Sequence, residues 1–327
     1  MSTPVTARRS AAVVAVASLA VALSGCASRE GGGGAAEGSD FPDGSITLYT
    51  PTAAGGATDL TARTLGAELE DDLGVSVVVE NRPGASGSVG MQFLAGQDPD
   101  GYSIAVLPVE VSMLQYQDFD VDPADYDFLG QVNAQPGTIA VPADSPYQTL
   151  EDLVTAAQED PGTLSISTAG AGSIWDAGVS ALSQAADIDV QAVPFDGGAP
   201  AVTAAIGGQV DAVIAGIGET APANADGRLR VLAVFTEEPA PALDGVPTAI
   251  EQGYDVQIGS WAVIAAPTGL PDDVRDTLES AIATAVEAPT YVELIESGGN
   301  IVTYRDADEA SEFVDEESTR FAELLTS

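Results

Sequence analysis

Apolar and β-branched residues recur along the chain in short runs that glycine-rich turns interrupt. Ile46 to Thr50 reads as a short strand, followed by a glycine-containing loop. From Asp59 to Leu73 the leucines at 60, 65, 69 and 73 fall at near-helical spacing, which predicts a helix. Val75 to Glu80 is β-branched and apolar, the pattern of a buried strand. Asn81-Arg82-Pro83-Gly84 is a turn, Ser88 to Gln97 a helix, residues 98–101 another turn and Ser103 to Leu107 a strand. Strand, helix, strand, helix, strand in that order predicts a parallel sheet with helices on its faces.

The pattern then restarts. Thr138 to Val141, Leu164 to Ser167, Val190 to Val193, Asp211 to Ala215 and Arg230 to Phe235 read as strands. Helices are expected from Thr149, over Trp175 to Ala186 and over Ala199 to Ile206. Trp261 to Ala265 begins a return, Pro271 suits the first turn of a long helix, and Asp306 to Leu325 forms a terminal helix. Two α/β units joined by extended segments predict two lobes with a ligand cleft. Lobe one is expected over 44–137 and 260–327, lobe two over 138–259. Ligands of such sheets bind at the carboxyl ends of the strands.

Ahead of these elements the pattern is different. Arg8 and Arg9 precede an apolar run from Ala11 to Leu23, too short for a comfortable membrane span. It ends in Leu23-Ser24-Gly25-Cys26, which resembles a bacterial lipobox. Residues 1–25 are therefore expected to be a lipoprotein signal peptide, and Cys26 the lipidated residue. Residues 26–43 are rich in Gly, Ala and Ser and read as a flexible tether. The expected location is extracytoplasmic, lipid-anchored to the cell membrane.

Composition narrows the chemistry. All 10 basic residues are arginine, against 50 acidic residues, and there is no lysine or histidine. A net charge of −40 repels nucleic acid. Ser-His-Asp triads, histidine zinc sites and lysine Schiff bases are excluded. No calcium-loop motif occurs, and no metal or cofactor is expected. The acidity reads as a solvated surface.

Four glycine loops sit between an expected strand and an expected helix. They are Gly55-Gly56-Ala57-Thr58-Asp59, Gly84-Ala85-Ser86-Gly87-Ser88, Gly170-Ala171-Gly172-Ser173 after Thr168, and Asp196-Gly197-Gly198-Ala199 after Phe195. Glycine lets a ligand approach the backbone, and a helix N-terminus offers N–H groups and partial positive charge. Such loops hold a carboxylate without lysine or histidine. None is a Walker A or dinucleotide fingerprint. The candidate ligand-binding residues are Gly55, Gly56, Thr58, Asp59, Gly84, Ala85, Ser86, Thr168, Gly170, Gly172, Ser173, Phe195, Asp196 and Gly197. Asp59 suits the helix dipole better than a ligand contact, Arg63 suits packing or a structural pair, and Thr168 and Ser173 suit capping and ligand contact equally. Arg82 is the one arginine beside these loops, and Trp175 and Trp261 suit packing.

Taken in order, Pro51 to Asp59, Ala62-Arg63, Glu80 to Ala85 and Pro99-Asp100-Gly101-Tyr102 resemble the substrate-binding proteins of tripartite tricarboxylate transporters, the TctC or Bug family. Val193 to Gly198, Gly207 to Asp211, Arg228 to Ala233, Val246-Pro247-Thr248, Ala266-Pro267 and Gly269-Leu270-Pro271 continue the resemblance, which covers residues 44 to 327. It implies a two-lobed periplasmic-binding-protein-like α/β fold, type II-like, that closes on its ligand. It further implies capture of citrate or another small carboxylate for delivery to membrane permease subunits. Many members of the family have lysine where this chain has Asp196. A sensory receptor for a kinase is the first alternative. The second is an extracytoplasmic hydrolase drawing a carboxylate pair from Asp59, Asp196, Asp211 and Glu219.

Overall fold

The structure, a computed structural model, describes residues 41–326. The leader, Cys26 and the tether as far as residue 40 lie outside the described residues.

The first strand, β1 (Ile46–Thr50), leads into α1 (Ala57–Leu73), β2 (Val77–Asn81), α2 (Ser88–Ala95) and β3 (Ser103–Pro108). β1 pairs in parallel with both β2 and β3. Leu65 and Leu69 of the α1 stripe are fully buried, whereas Leu60 is 42% exposed. The helix stops at Gly74, whose left-handed backbone returns its N–H to the Glu70 carbonyl.

A long strand follows, β4 (Tyr126–Pro142), and then α3 (Leu150–Glu159), β5 (Ser165–Thr168), α4 (Ile174–Ala186), β6 (Gln191–Pro194), α5 (Gly198–Ile206), β7 (Ala212–Gly216), α6 (Ile217–Ala225) and β8 (Leu229–Val234). The chain returns along β9 (Gly259–Pro267) and ends in α7 (Asp272–Val286), α8 (Pro289–Ser297), β10 (Ile301–Arg305) and α9 (Ala307–Thr326).

One continuous sheet results, in the order β2-β1-β3-β9-β4-β7-β5-β6, with β8 and β10 also on β4. The parallel pairing expected of the first three strands is observed, and antiparallel strands not foreseen from the sequence join the two halves. β9 runs antiparallel to β3 and β4, and β4 runs antiparallel to β7, β8 and β10. The link from β3 to β4 consists of short 3-10 turns, and β4 runs in the same direction as β3 with the returning β9 antiparallel between them.

The two halves of the sheet meet along β4. Its residues 126–136 pair with β9, and its residues 137–142 pair with β7 and β8. Here the crossing segments tie to one another. Gly137 donates to the Ile258 carbonyl at 2.9 Å, Phe235 to Gly137 at 2.8 Å and Ile258 to Phe235 at 3.1 Å. Within each half the parallel strands direct their C-terminal ends toward this junction, β1 and β2 on one side, β5, β6 and β7 on the other.

Candidate functional site

On the first side, α1 begins at Gly56 and α2 at Gly87, and no side chain caps either helix. The N–H groups of their first turns have no partner within the helix. Asp59 fixes the loop ahead of α1 from behind. One carboxylate oxygen accepts from the Gly55 N–H at 2.8 Å and from Arg63 Nε at 3.1 Å; the other accepts from Asn81 Nδ2 at 2.7 Å and pairs with Arg63 at 2.9 Å. Burial works against that charge. The Arg63 guanidinium, the Gly55 N–H and the Asn81 amide outweigh it and hold the carboxyl below the usual aspartate range. Asp59 is thus a brace, and both of its oxygens are taken.

The loop before α2 is strained. Gly84, Ala85, Ser86 and Gly87 all have positive φ, at 143°, 46°, 55° and 95°. Two consecutive non-glycine residues in the left-handed region are costly and persist only where the surroundings hold them. Gly84 itself is irreplaceable on conformational grounds: at φ 143° a side chain is strained, and its Cβ would lie 3.0 Å from Val89. Arg82 stays out of this loop. It pairs with Glu80 at 2.7 Å and stacks its guanidinium 3.5 Å above the Phe93 ring.

On the second side, α5 begins at Gly197 and α6 at Gly216, again without side-chain caps. α4 differs. Ser173 accepts from the Asp176 N–H, Asp176 accepts from the Gly172 N–H at 3.0 Å, and Ser173 donates its hydroxyl to the Gly170 carbonyl at 2.8 Å. Glu110 adds a carboxylate against the Ile174 N–H, and burial pushes its pKa up. Gly172 and Ser173, read from the sequence as ligand donors, are therefore engaged within the protein. Thr168 ends β5 fully buried, and its hydroxyl has no partner among the described residues. Gly197 ties the neighbouring loop to this one by donating to the Ala169 carbonyl at 3.1 Å.

The two sides touch. The Ser86 hydroxyl points at the Ala171 carbonyl across 3.5 Å, so the second and third glycine loops of the sequence face each other. The first loop faces a different partner. Gly55, Gly56 and Ala57 line a cavity of about 280 Å3 together with Gln135, Glu219 and Asn300. Glu219 is the third residue of α6, and burial pushes its carboxyl up to about 7. Gln135, Glu219 and Asn300 were not among the binding residues read from the sequence. Glu219 had a signal in its place just after the strand, flanked by Gly216 and Gly218; Gln135 and Asn300 had none. Asp196 is exposed, and Phe195 and Thr58 are half-buried.

A larger groove of about 840 Å3 shares Gln135 with this cavity and is lined in part by Trp261, Arg305, Phe313 and Arg320. Its polar groups are largely committed. Trp261 and Arg320 both bind Glu317, and Arg305 binds Gln131 and stacks on Phe313. The converging bare helix termini single out the glycine loops as the better candidate for a small anion.

Two of the four carboxylates of the hydrolase alternative are placed outside a pair. Asp211 precedes β7 and accepts from the Ser165 N–H and hydroxyl at the far end of the sheet. A five-residue strand, roughly 16 Å long, separates it from Glu219. Asp59 is consumed by its brace. Among the described residues no group of three or more Cys, Asp or Glu side chains could hold a metal ion.

Residues 61–327 match the family model of the tripartite tricarboxylate transporter family receptor. The chain is 31% identical over 270 residues to a protein of Agrobacterium vitis described as the UPF0065 protein in the TAR-I ttuE-ttuC' intergenic region, covering 81% of this chain and 78% of that one. Among solved structures, MatC of Rhodopseudomonas palustris with bound malate superposes with a TM-score of 0.79 at 26% identity, covering 87% of this chain and all of that one. The periplasmic binding protein BugD superposes with a TM-score of 0.78 at 28% identity, covering 88% and 98%. The periplasmic-binding-protein fold expected from the sequence is the fold observed.

Proposed function

The chain belongs to the tripartite tricarboxylate transporter receptor family, and from that premise we propose that it captures a small carboxylate outside the cytoplasm and delivers it to membrane permease subunits. The observation that carries this reading is the cluster of four glycine-capped helix N-termini, α1, α2, α5 and α6, without side-chain caps and gathered where the two halves of the sheet meet. Aligned peptide dipoles and the N–H groups of helix ends favour an anion there. That the related MatC holds malate supports the same ligand class. Dicarboxylates and tricarboxylates such as citrate are both within it.

The lobes are residues 44–137 with 260–327, and 138–259. Closure about the β4 crossing brings the two sets of loops together on the ligand, and the closed form is the one the permease reads. Residues 1–25 direct export, and Cys26 carries the lipid that holds the protein at the membrane.

Calorimetry of the purified protein against succinate, malate, citrate, amino acids and a neutral sugar tests the ligand class. Binding of at least one acid, and of no sugar, is expected; preference for the sugar over every acid sinks the reading. Membrane fractionation of Cys26→Ala tests the anchor. Release of the protein or failure of processing is expected, and unchanged membrane association removes the lipid.

A further inference from the structure

An acid that enters the cavity of about 280 Å3 meets another acid. Glu219 lines this cavity together with Gly55, Gly56 and Ala57 at the bare N-terminus of α1. Its Oε2 is buried and has no hydrogen-bond partner among the described residues. Its other oxygen is packed against α5: a Cβ on Gly198 would lie 2.7 Å from Oε1, so glycine there leaves room for the carboxyl.

The hydrogens that the cavity offers carry no full charge. The Gln135 and Asn300 amides line it, and both flank Gly218, where a Cβ would lie 3.3 Å from Gln135 Nε2 and 3.7 Å from Asn300 Oδ1. The first-turn N–H groups of α1 have no partner within the helix. No arginine lines the cavity, and the chain contains no lysine or histidine. A ligand carboxylate at the α1 terminus therefore shares a buried enclosure with a second carboxyl and no cation. Two carboxyl groups so placed do not both ionise, and one of them takes a proton. That one is Glu219. Burial pushes its carboxyl up to about 7, its own N–H acting the other way, whereas the helix end favours the ionised form of the ligand. Protonation turns the unpartnered oxygen of Glu219 into a donor, and a hydroxyl on a carboxylate makes a short, charge-assisted bond.

We propose that Glu219 is a specificity-determining residue that receives the ligand in its protonated form, so that each acid captured above neutral pH brings one proton from solvent with it. The proposal rests on the carboxylate-receptor reading above and adds the protonation state in which the site accepts its ligand. The sign follows from linkage. Below neutral pH Glu219 already carries the proton; above it the proton must be loaded on binding, so affinity falls as pH rises through that range. The chain has no histidine, the side chain that ordinarily titrates there.

The charged groups around Glu219 leave the role to it. Asp59 and Arg63 on α1 neutralise each other, Asp196 ahead of α5 is exposed, and Glu293 and Glu296 of α8 do not line the cavity. β7 has no charged residue, and Arg230 of β8 is bonded to the carbonyls of Ala143 and Tyr147. Asp226 and Arg228 pair beyond the far end of α6, and Asp244, after the short turn at 241–243 that packs on α6, is exposed.

Calorimetry with succinate, malate and citrate at pH 7 and pH 8.5, each in HEPES and in Tris, tests this on wild type and Glu219→Gln. The best-bound acid should bind wild type at least tenfold more weakly at pH 8.5 than at pH 7. At pH 8.5 its heat should differ between the two buffers by the uptake of about one proton. Glu219→Gln donates from its amide at either pH. It should lose the buffer difference and bind that acid more tightly than wild type at pH 8.5, a gain that a damaged fold does not produce. The wild-type buffer comparison stands by itself if the variant fails to fold. Affinity independent of pH with no buffer difference overturns the proton link, as does a glutamine variant whose affinity falls with pH as steeply as that of wild type. No binding of any acid overturns it together with the carboxylate reading.

Discussion

Two kinds of helix N-terminus contrast in this molecule. α3, which begins at the end of the sheet away from the loops, has a full capping box: Thr149 accepts from the Asp152 N–H, and Asp152 accepts from the Thr149 N–H. α9 is closed in the same manner, with Asp306 accepting from the Glu309 N–H at 2.9 Å. α1, α2, α5 and α6 begin at the junction of the two halves with glycine and no side-chain cap. A side-chain cap is worth about 1 kcal/mol over alanine and a few tenths of a kcal/mol over glycine. α7 and α8 also lack a side-chain cap, at Pro271 and Ala288, so what marks the other four is glycine at the N-cap and their common place at the junction. The difference teaches that glycine before a helix carries meaning by location, and that an absent cap can be as informative as a present side chain.

The largest effect expected from breaking this contrast is at Gly84. Valine there must adopt φ 143° and meet Val89, so the strained loop shifts and its N–H groups turn away. Loss of one charge-assisted hydrogen bond is worth roughly 1.5–3 kcal/mol, about ten- to a hundred-fold in affinity. Calorimetry of Gly84→Val with the best-bound acid reads it, and melting should show a folded protein. Unchanged affinity would take the second loop out of the site.

Next in size is Asp59, the brace that lets the α1 terminus stay bare. Asp59→Asn loses the Arg63 pair and should lower unfolding stability by roughly 2 kcal/mol, measurable by urea denaturation. The same carboxyl predicts a pH dependence. Its folded pKa lies below the unfolded value, so its contribution is present above about pH 4. The contribution is lost as pH falls through the folded pKa. Wild type should lose stability over that range more steeply than Asp59→Asn, and parallel curves would remove the brace.

Much of this was legible in the sequence where local pattern and tertiary role agree. β1, α1, β3 and the four glycine loops fall within about two residues of their expected bounds. The first half of β4 was invisible because a strand between two halves obeys neither side's alternation. Gln131 and Asn133 are buried there and find polar partners, Asn133 donating to Thr61 at 3.0 Å, while Gly130 breaks the register. α6 hid behind Gly218 and Pro222, both poor helix residues, yet it forms because Ile217, Thr220 and Ala223 face the core. Gln135 and Asn300 could not be read, since their significance depends on what the fold sets beside Gly55. Arg82, beside the glycine loops in sequence, is stacked on Phe93.

The contrast can also be broken by filling a bare cap. Gly56 has an extended backbone, φ −81° and ψ 172°, and a Cβ there would meet only the Ala53 carbonyl at 3.6 Å. Gly56→Asp should therefore fold well and cap α1, gaining a few tenths of a kcal/mol over glycine. It also places a carboxylate where the ligand's anion is expected, so affinity should drop at least tenfold, about 1.4 kcal/mol. Higher melting temperature with weaker binding is the expected pairing. Full affinity in a stabilised variant would show that the α1 terminus is bare for some other reason.

The smallest effect is expected at Ser173, where the two kinds of terminus adjoin. α4 begins among the glycine loops, yet it is closed: Ser173 and Glu110 receive N–H groups of its first turn, and Asp176 holds the Gly172 N–H just ahead of it. An anion seated on that terminus would have to displace a carboxylate, at a cost in repulsion that the dipole does not repay. The Gly170 to Ser173 loop then contributes shape and the Ala171 carbonyl that Ser86 meets, not charge-assisted donors. Ser173→Ala should accordingly cost about 1 kcal/mol of stability, as the loss of any serine cap does, and leave acid affinity within about twofold, well under the tenfold that 1.4 kcal/mol represents. Urea denaturation and calorimetry on the same preparation separate the two quantities. A drop in affinity larger than the drop in stability would mean that the ligand opens the α4 cap on binding, and that the closed terminus belongs with the bare ones after all.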